Sequence, residues 1–536
     1  MEKNKNEKNV NQPSDEGKRN KVVSAEEAVK AIKSNDMIAT AGFVGNGFPE
    51  ELAIALEKRF LDTGEPKNLN LLYAAGQGDG KDRGLNHFAH EGMVKRVVAG
   101  HWGLAPKLGR MALDNKIEAY NWPQGTVAQL FREIAAKRPG VFTRVGLKTY
   151  CDPRLDGGKI NAMTKEDLVE IVKLNGVEYL WYKTMPVNVS LVRGTTADLK
   201  GNVTFEKEAL ILNALEMCQA ARNCGGIVIV QVERLAEYGT LKGRDVVIPA
   251  NLVDYIVVAK PENHWQTFSE QYNPAYSGEI VVPQHTIKPL PLDERKIIGR
   301  RAIMELRHNT IVNLGIGMPE AASIVAAEEG VQDYMTMTVE PGPIGGIPAG
   351  GLSFGAASNY ECLVGQAQQF DFYDGGGIDL AFLGLAQADE KGNLNVSKFG
   401  PKFAGCGGFI NITQTAKKVF FLGTFTAGDL QVSTKNGELI IVKEGPIKKF
   451  VKKVEHITFS GDYANEIKQP VLYITERAVF RLTPEGLELI EIAPGIDLQK
   501  QILDQMEFKP IIKGTPKLMD KRFFVDQKVG FKSFLP

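Results

Sequence analysis

An internal repeat constrains this chain most, because two copies of one pattern must build the same supersecondary unit twice. Two pairs of segments match each other. DMIATAGFVGNGFPEEL from Asp36 and NTIVNLGIGMPEAA from Asn309 both read as an apolar strand, a Gly-rich turn and a Pro-Glu helix start. VSLVRGTTADLKGNVTF from Val189 and LAFLGLAQADEKGNLNV from Leu380 set Asp198, Gly201 and Asn202 against Asp389, Gly392 and Asn393 at a constant offset. A helical stretch precedes each copy, opening with Ser24 and Glu27 at capping-box spacing in the first and near Asp293 in the second. Apolar runs such as GGIVIVQV and KKVFFLGTF alternate with helical ones such as ERKIIGRRAIMEL, which implies parallel strands covered on both faces. The expected fold class is α/β, as two tandem domains, each a mostly parallel sheet flanked by helices.

The copies are not equal in length. Pro49 to Asp198 covers 149 positions and Pro319 to Asp389 covers 70, so the first half carries a large insertion between shared landmarks. Between the halves, VVPQHTIKPLPLDER holds Pro283, Pro289 and Pro291, which break both helix and ladder bonding and mark a linker. The expected division is a disordered tail over 1–20, a first domain over 21–290 and a second over 291–536.

Charge and hydropathy narrow the function classes. Sixty-four basic residues balance sixty-four acidic ones, so no overall field is available to hold nucleic acid or a charged membrane. The longest apolar run, near Gly225 to Val232, is far shorter than the ~20 residues a bilayer span requires. The charged, amide-rich first twenty residues lack a signal-peptide core, and five scattered cysteines fit a reducing compartment, so a cytoplasmic location is expected. His87 and His90 lack further ligands at metal-binding spacing, and no metal is expected.

The most unusual stretch is MTMTVEPGPIGGIPAGGLSFGAASN, Met335 to Asn359. A strand-like run stops at Glu340, and eight of the next eleven residues are Gly or Pro. A loop without side-chain bulk lets backbone approach a ligand closely, and this one delivers a single carboxylate to the edge of a sheet. In the repeat, Gly76, Gly78 and Gly80 of AAGQGDG occupy the place of Glu340, so the first half has no nucleophile there.

The Glu340 segment resembles the active-site loop of class I coenzyme A transferases, in particular the acetate or propionate CoA-transferase group, and the likeness extends over nearly the whole chain after the tail. Pro123-Gln124-Gly125-Thr126 resembles that family's oxyanion glutamine motif, Gly315-x-Gly317-x-Pro319 its CoA-facing turn, and GCGGFINI from Gly405 its second oxyanion segment. The resemblance implies that Glu340 is the nucleophile, with Gln124 and a backbone N–H within Gly405 to Gly408, Gly405 and Gly407 first, as oxyanion donors. Gly315 and Gly317 are the expected CoA contacts. Asn393 and Asn395 either touch pantetheine or hold the turn they sit in, since Asn after Gly is also ordinary turn chemistry. Cys406, in the same glycine segment, reads as small packing.

On this reading acyl-CoA and short carboxylic acids are substrates, and no cofactor is tightly bound. An ionised glutamate, with a reference pKa of roughly 4.3, needs no base and attacks a thioester directly, giving ping-pong exchange through a glutamyl-CoA thioester. Gln124 and Glu340 lie in different halves, so the site is assembled across them and a separated half is expected to be inactive. The resemblance also implies a homo-oligomer, dimer or tetramer. Acetate, propionate and butyrate are the favoured acids, with acetoacetate and succinate still open. Two other readings remain: an acyl-CoA hydrolase that admits water to the same thioester, and a non-catalytic or isomerase-like ligand-binding member of the fold.

Overall fold

The computed structural model describes residues 21–283 and 289–535. The expected tail over 1–20 and the centre of the linker, 284–288, lie outside the described residues.

Both helix starts read from the sequence carry the side-chain cap. Ser24 Oγ accepts from the Glu27 N–H at 3.2 Å, and Asp293 Oδ1 accepts from the Lys296 N–H at 3.1 Å, each satisfying an orphan first-turn donor. The helices are Ala25–Val29 and Glu294–Ile303, and each leads into the first strand of a sheet.

The first half builds a seven-stranded, wholly parallel sheet. Its strands are β1 (Met37–Thr40), β2 (Leu69–Tyr73), β3 (Val94–Ala99), β4 (Glu118–Asn121), β5 (Val189–Arg193), β6 (Ile227–Val232) and β7 (Tyr255–Val258), in the order β7-β6-β5-β1-β2-β3-β4. The second half centres on β8 (Thr310–Leu314), β9 (Met335–Thr338), β10 (Leu380–Gly384), β11 (Lys418–Leu422) and β12 (Val471–Ile474), parallel in the order β12-β11-β10-β8-β9. The two five-strand orders coincide when β8 is laid on β1, so the repeat seen in the sequence is a repeat of topology. Antiparallel strands, including Ala478–Thr483 and Gly486–Ile492, extend the second sheet beyond β12.

The insertion in the first half supplies β3, β4 and the helix α1 (Gln124–Ala135) that follows β4. It also forms a three-stranded antiparallel sheet from Gly140–Thr143, Val169–Leu174 and Val177–Lys183. This extra material faces the other half. Trp122 and Phe131 join Phe370, Phe409 and Tyr473 in one buried cluster that runs through both halves. Residues of this cluster are close-packed and dry, so the halves share a core and do not merely touch. Two helices of the second half meet α1 there, α2 (Gln366–Asp374) and α3 (Phe409–Thr415).

Candidate functional site

Glu340 follows β9 by two residues, at the carboxyl end of the second sheet, where ligands of open α/β sheets collect. The turn after it requires glycine: Gly342 has φ +135°, and a Cβ there would lie 2.0 Å from the Val364 carbonyl oxygen. The Gly342 N–H donates to the Val339 carbonyl at 3.0 Å, closing a tight turn around Glu340 itself. Gly345 and Gly346, both with positive φ, let the chain double back on itself.

The carboxylate of Glu340 is enclosed by protein. The residue keeps some accessible surface, yet burial of its charged end pushes the pKa up to about 7. Desolvation is the larger influence, and the Gln124 hydrogen bond opposes it. This corrects the expectation of a fully ionised carboxylate at neutral pH: near pH 7 about half the free protein carries the proton.

Gln124 comes to this carboxylate from the other half. It is the first residue of α1, 2% exposed, and its Nε2 donates to Glu340 Oε2 at 3.1 Å. Its own N–H donates to the Gly407 carbonyl at 2.9 Å, and the next N–H, of Gly125, donates to Asn411 Oδ1 at 3.0 Å. Gly125 has no room for a side chain, since a Cβ would fall 2.3 Å from the Phe370 ring and 2.5 Å from Asn411 Nδ2. Two backbone donors of one half are thus fixed by acceptors of the other, which sets the register between Gln124 and Glu340.

In the glycine segment ahead of α3, the N–H groups of both residues favoured from the sequence are taken by other acceptors, and Gly408 is the glycine packed against the carboxylate. The Gly405 N–H donates to the Ser397 carbonyl at 3.1 Å, the Cys406 N–H to Asn121 Oδ1 at 3.0 Å and the Gly407 N–H to the Gly100 carbonyl at 2.8 Å. The Gly408 N–H has no acceptor among the described residues, and a Cβ on Gly408 would lie 2.8 Å from Glu340 Oε2. Gly405 and Gly407, both with positive φ, shape the bend, and Gly408 is the residue against the carboxylate.

Asn121, which nothing in the sequence marked, holds this segment. It is fully buried on β4 and accepts through Oδ1 from both the Cys406 N–H and the Tyr150 hydroxyl. Its Nδ2 donates to the Ala99 and Gly100 carbonyls at 2.8 and 2.7 Å. Cys406 is packed as expected, its Sγ 3.3 Å from the Trp122 carbonyl and its thiol pushed up to about 12 by burial.

Gly315 lines a cavity of about 460 Å³ at the carboxyl ends of β8 and β9, together with Met337, Ile347 and Gly350. Gly317 has φ +81°, and its N–H is taken by Glu320 Oε1 at 3.0 Å. Asn393 and Asn395 lie elsewhere and are spent on their own turns. Asn393 donates to Asp389 Oδ2 and accepts from the Gly461 N–H, while Asn202 makes the equivalent pair with Asp198 and the Ala250 N–H. An arrangement kept in the half without a nucleophile is structural. Asn395 donates to Gln387 Oε1 and the Lys398 carbonyl and accepts from two N–H groups of its own loop. Of the two readings given to these asparagines, the structure bears the turn-holding one.

His87 is held between carboxylates, with Nε2 2.9 Å from Glu50 and Nδ1 2.5 Å from Glu57, and His90 also contacts Glu57. Among the described residues no group of three or more His, Cys, Asp or Glu is arranged to hold a metal ion, and no helix is long and apolar enough to cross a membrane.

The family model described as coenzyme A transferase matches residues 22–259. A caffeate CoA-transferase from Acetobacterium woodii is 49% identical over 521 residues, covering 96% of this chain and 99% of the relative. The acetate CoA-transferase YdiF of Escherichia coli K12 is 45% identical, covering 95% and 96%. A crystal structure of the acyl-CoA transferase YdiF from Escherichia coli O157:H7, described as a thioester complex with CoA, superposes with a TM-score of 0.91 at 43% identity over 97% of this chain and 98% of that one.

Proposed function

The chain belongs to the coenzyme A transferase family, and we propose that it exchanges CoA between short-chain acyl-CoA thioesters and free carboxylates through a covalent thioester on Glu340. The observation that carries this reading is the enclosed carboxylate of Glu340 with an amide donor from the opposite half at 3.1 Å.

In the forward direction the Glu340 carboxylate adds to the acyl-CoA carbonyl, and collapse expels the CoA thiolate to leave a mixed anhydride. The thiolate then adds to the glutamyl carbonyl and expels the first acid, giving enzyme-bound CoA thioester. A second acid runs these steps in reverse, so no ATP or metal enters and the kinetics are ping-pong. Gln124 Nε2 and the free Gly408 N–H are the proposed donors to the oxyanion that forms on the glutamyl carbon, with Gly408 in place of the Gly405 and Gly407 favoured within that segment. Each such donor typically contributes ~3 to 4 kcal/mol. The raised pKa serves the chemistry, because a more basic carboxylate is a stronger nucleophile.

The cavity beside Gly315 is the proposed entry for the pantetheine arm, bounded by the Gly-Pro loop whose small residues let a chain lie close. Acetate, propionate and butyrate are the proposed acids. The caffeate-transferring relative supports a second reading, an aromatic acid at the same site. One experiment tests both: incubation with each acyl-CoA, mass measurement of the Glu340 peptide, then discharge of the adduct by acetate, butyrate, caffeate or water. A Glu340–CoA adduct discharged by carboxylates supports exchange. An adduct discharged mainly by water makes the protein a hydrolase, and no adduct with any acyl-CoA refutes the covalent route.

A further inference from the structure

His101 follows β3 by two residues and was not marked by the sequence. Its Nδ1 is buried, packed against the backbone at Gly76, where a Cβ would lie 2.4 Å away, and it has no hydrogen-bond partner among the described residues. Nε2 has no hydrogen-bond partner among the described residues either, and the residue as a whole keeps partial exposure. The ring edge that carries Nε2 runs from Cε1, 3.1 Å from where a Cβ on Gly103 would stand, to Cδ2, 3.7 Å from the corresponding point on Gly407. Gln124 Oε1 is also 3.7 Å from that point on Gly407. The missing side chain of Gly407 therefore leaves a space walled by His101 and Gln124, one residue from the glycine that touches Glu340.

The protonation state follows from the packing. Burial pushes the imidazole down to about 4, so the ring is neutral at physiological pH. A neutral ring carries one proton, and a buried N–H without an acceptor costs more than a buried lone pair without a donor. The proton therefore belongs on Nε2, and His101 presents a hydrogen-bond donor there with no acceptor among the described residues.

The proposed reaction contains a place for such a donor. Charge develops in turn on two different carbons, either side of the anhydride oxygen. Gln124 and Gly408 are fixed against the Glu340 carboxylate and serve the glutamyl carbon. When Glu340 adds to acyl-CoA, the new C–O bond pushes the carbonyl electron pair onto the substrate's own oxygen, a second place where negative charge develops. We infer that His101 is a substrate-binding catalytic residue whose Nε2–H donates to the acyl oxygen of the substrate, whether thioester carbonyl or carboxylate of the free acid. It keeps its proton throughout, and this role rests on the Glu340 reading above.

The test uses the full chain as the parent, as His101→Phe, which keeps a ring without a donor, and as His101→Gln, which restores an N–H. The expected result is a loss of roughly 100-fold in kcat/KM for both acyl-CoA and acid in His101→Phe, with inhibition by free CoA unchanged and about tenfold of the loss recovered in His101→Gln. In the parent protein, carbethoxylation of His101 by diethyl pyrocarbonate, followed by peptide mass, is expected to slow when propionate is saturating. A folded His101→Phe with kcat/KM close to the parent overturns the inference, as does carbethoxylation that propionate leaves unchanged. The protection measurement stands alone if the variants do not fold. A parent that forms no Glu340 adduct but shows protection refutes the covalent mechanism and leaves the acid-binding role of His101 in place.

Discussion

Replacing Glu340 with glutamine is expected to stabilise the folded protein, and by an amount that depends on pH. A free glutamate titrates near 4.5 and this one at about 7, because its ionised form has lost solvent and gained a single amide donor. Below pH 4.5 the carboxyl is protonated folded and unfolded, and the group costs nothing. Between 4.5 and about 7 the unfolded chain ionises while the folded one holds its proton, so stability falls by about 1.4 kcal/mol per pH unit. Above 7 the whole penalty is present, about 3 kcal/mol. Glu340→Gln removes it and still offers Gln124 an acceptor oxygen. The assay is paired urea unfolding of parent and variant from pH 4.5 to 8.5, with Asp374, also raised to about 7 by burial, cancelling in the difference. The variant is expected to match the parent at the acid end and to exceed it by about 3 kcal/mol at pH 8.5, roughly 3 °C in midpoint for a chain of this size. The parent's kcat/KM for acyl-CoA should rise through pH 7 and level off, while the variant forms no adduct. A stability difference that is flat with pH, or that favours the parent at pH 8.5, refutes the claim that this carboxylate is held against its solvation.

Two further substitutions separate chemistry from scaffolding. Gly408→Ala places a methyl group 2.8 Å from the Glu340 carboxylate and is expected to lower kcat by 100-fold or more, with circular dichroism unchanged; near-parental kcat removes Gly408 from the oxyanion role. Asn393→Ala strips donors and acceptors from Asp389 and the Gly461 N–H, so a loss of about 2 kcal/mol in stability is expected with KM for CoA unaltered, and a raised KM at parental stability would restore Asn393 as a CoA contact.

What could be read from the sequence depended on how locally each feature is determined. The repeat of topology was legible in two short repeated segments, which hold β1 with β8 and β5 with β10, while the order of all five strands depends on pairings that no local segment carries. Glu340 stood out because a Gly-Pro run leaves one carboxylate with nothing beside it, and Gln124 came from a motif resemblance. The identity of the second donor was not legible. The proposal of Gly408 depends on which N–H groups other residues take, and two of those residues, Gly100 and Asn121, lie about 300 positions away. The raised pKa of Glu340 was hidden for the same reason, since desolvation belongs to the closed interface and not to the loop. Asn393 stayed open between ligand contact and turn chemistry, because its neighbours in sequence are those of a ligand loop while its partner Gly461 is distant.

A neutral donor opposite Glu340 suits the nucleophilic role proposed for it. An arginine or lysine at position 124 would hold the carboxylate ionised and depress its pKa, and a buried ion pair is costly to break when one partner must become a neutral thioester. The groups that set the Glu340 pKa are burial and the Gln124 amide, with no cation among them. An amide gives little to the ground-state carboxylate and more to the oxyanion that replaces it, so its contribution is concentrated where the barrier lies. Placing that amide on one half and the carboxylate on the other keeps the two fixed relative to each other only while the shared core is intact. The insertion that supplies β4 and α1 is thus what carries the Gln124 amide to the Glu340 carboxylate.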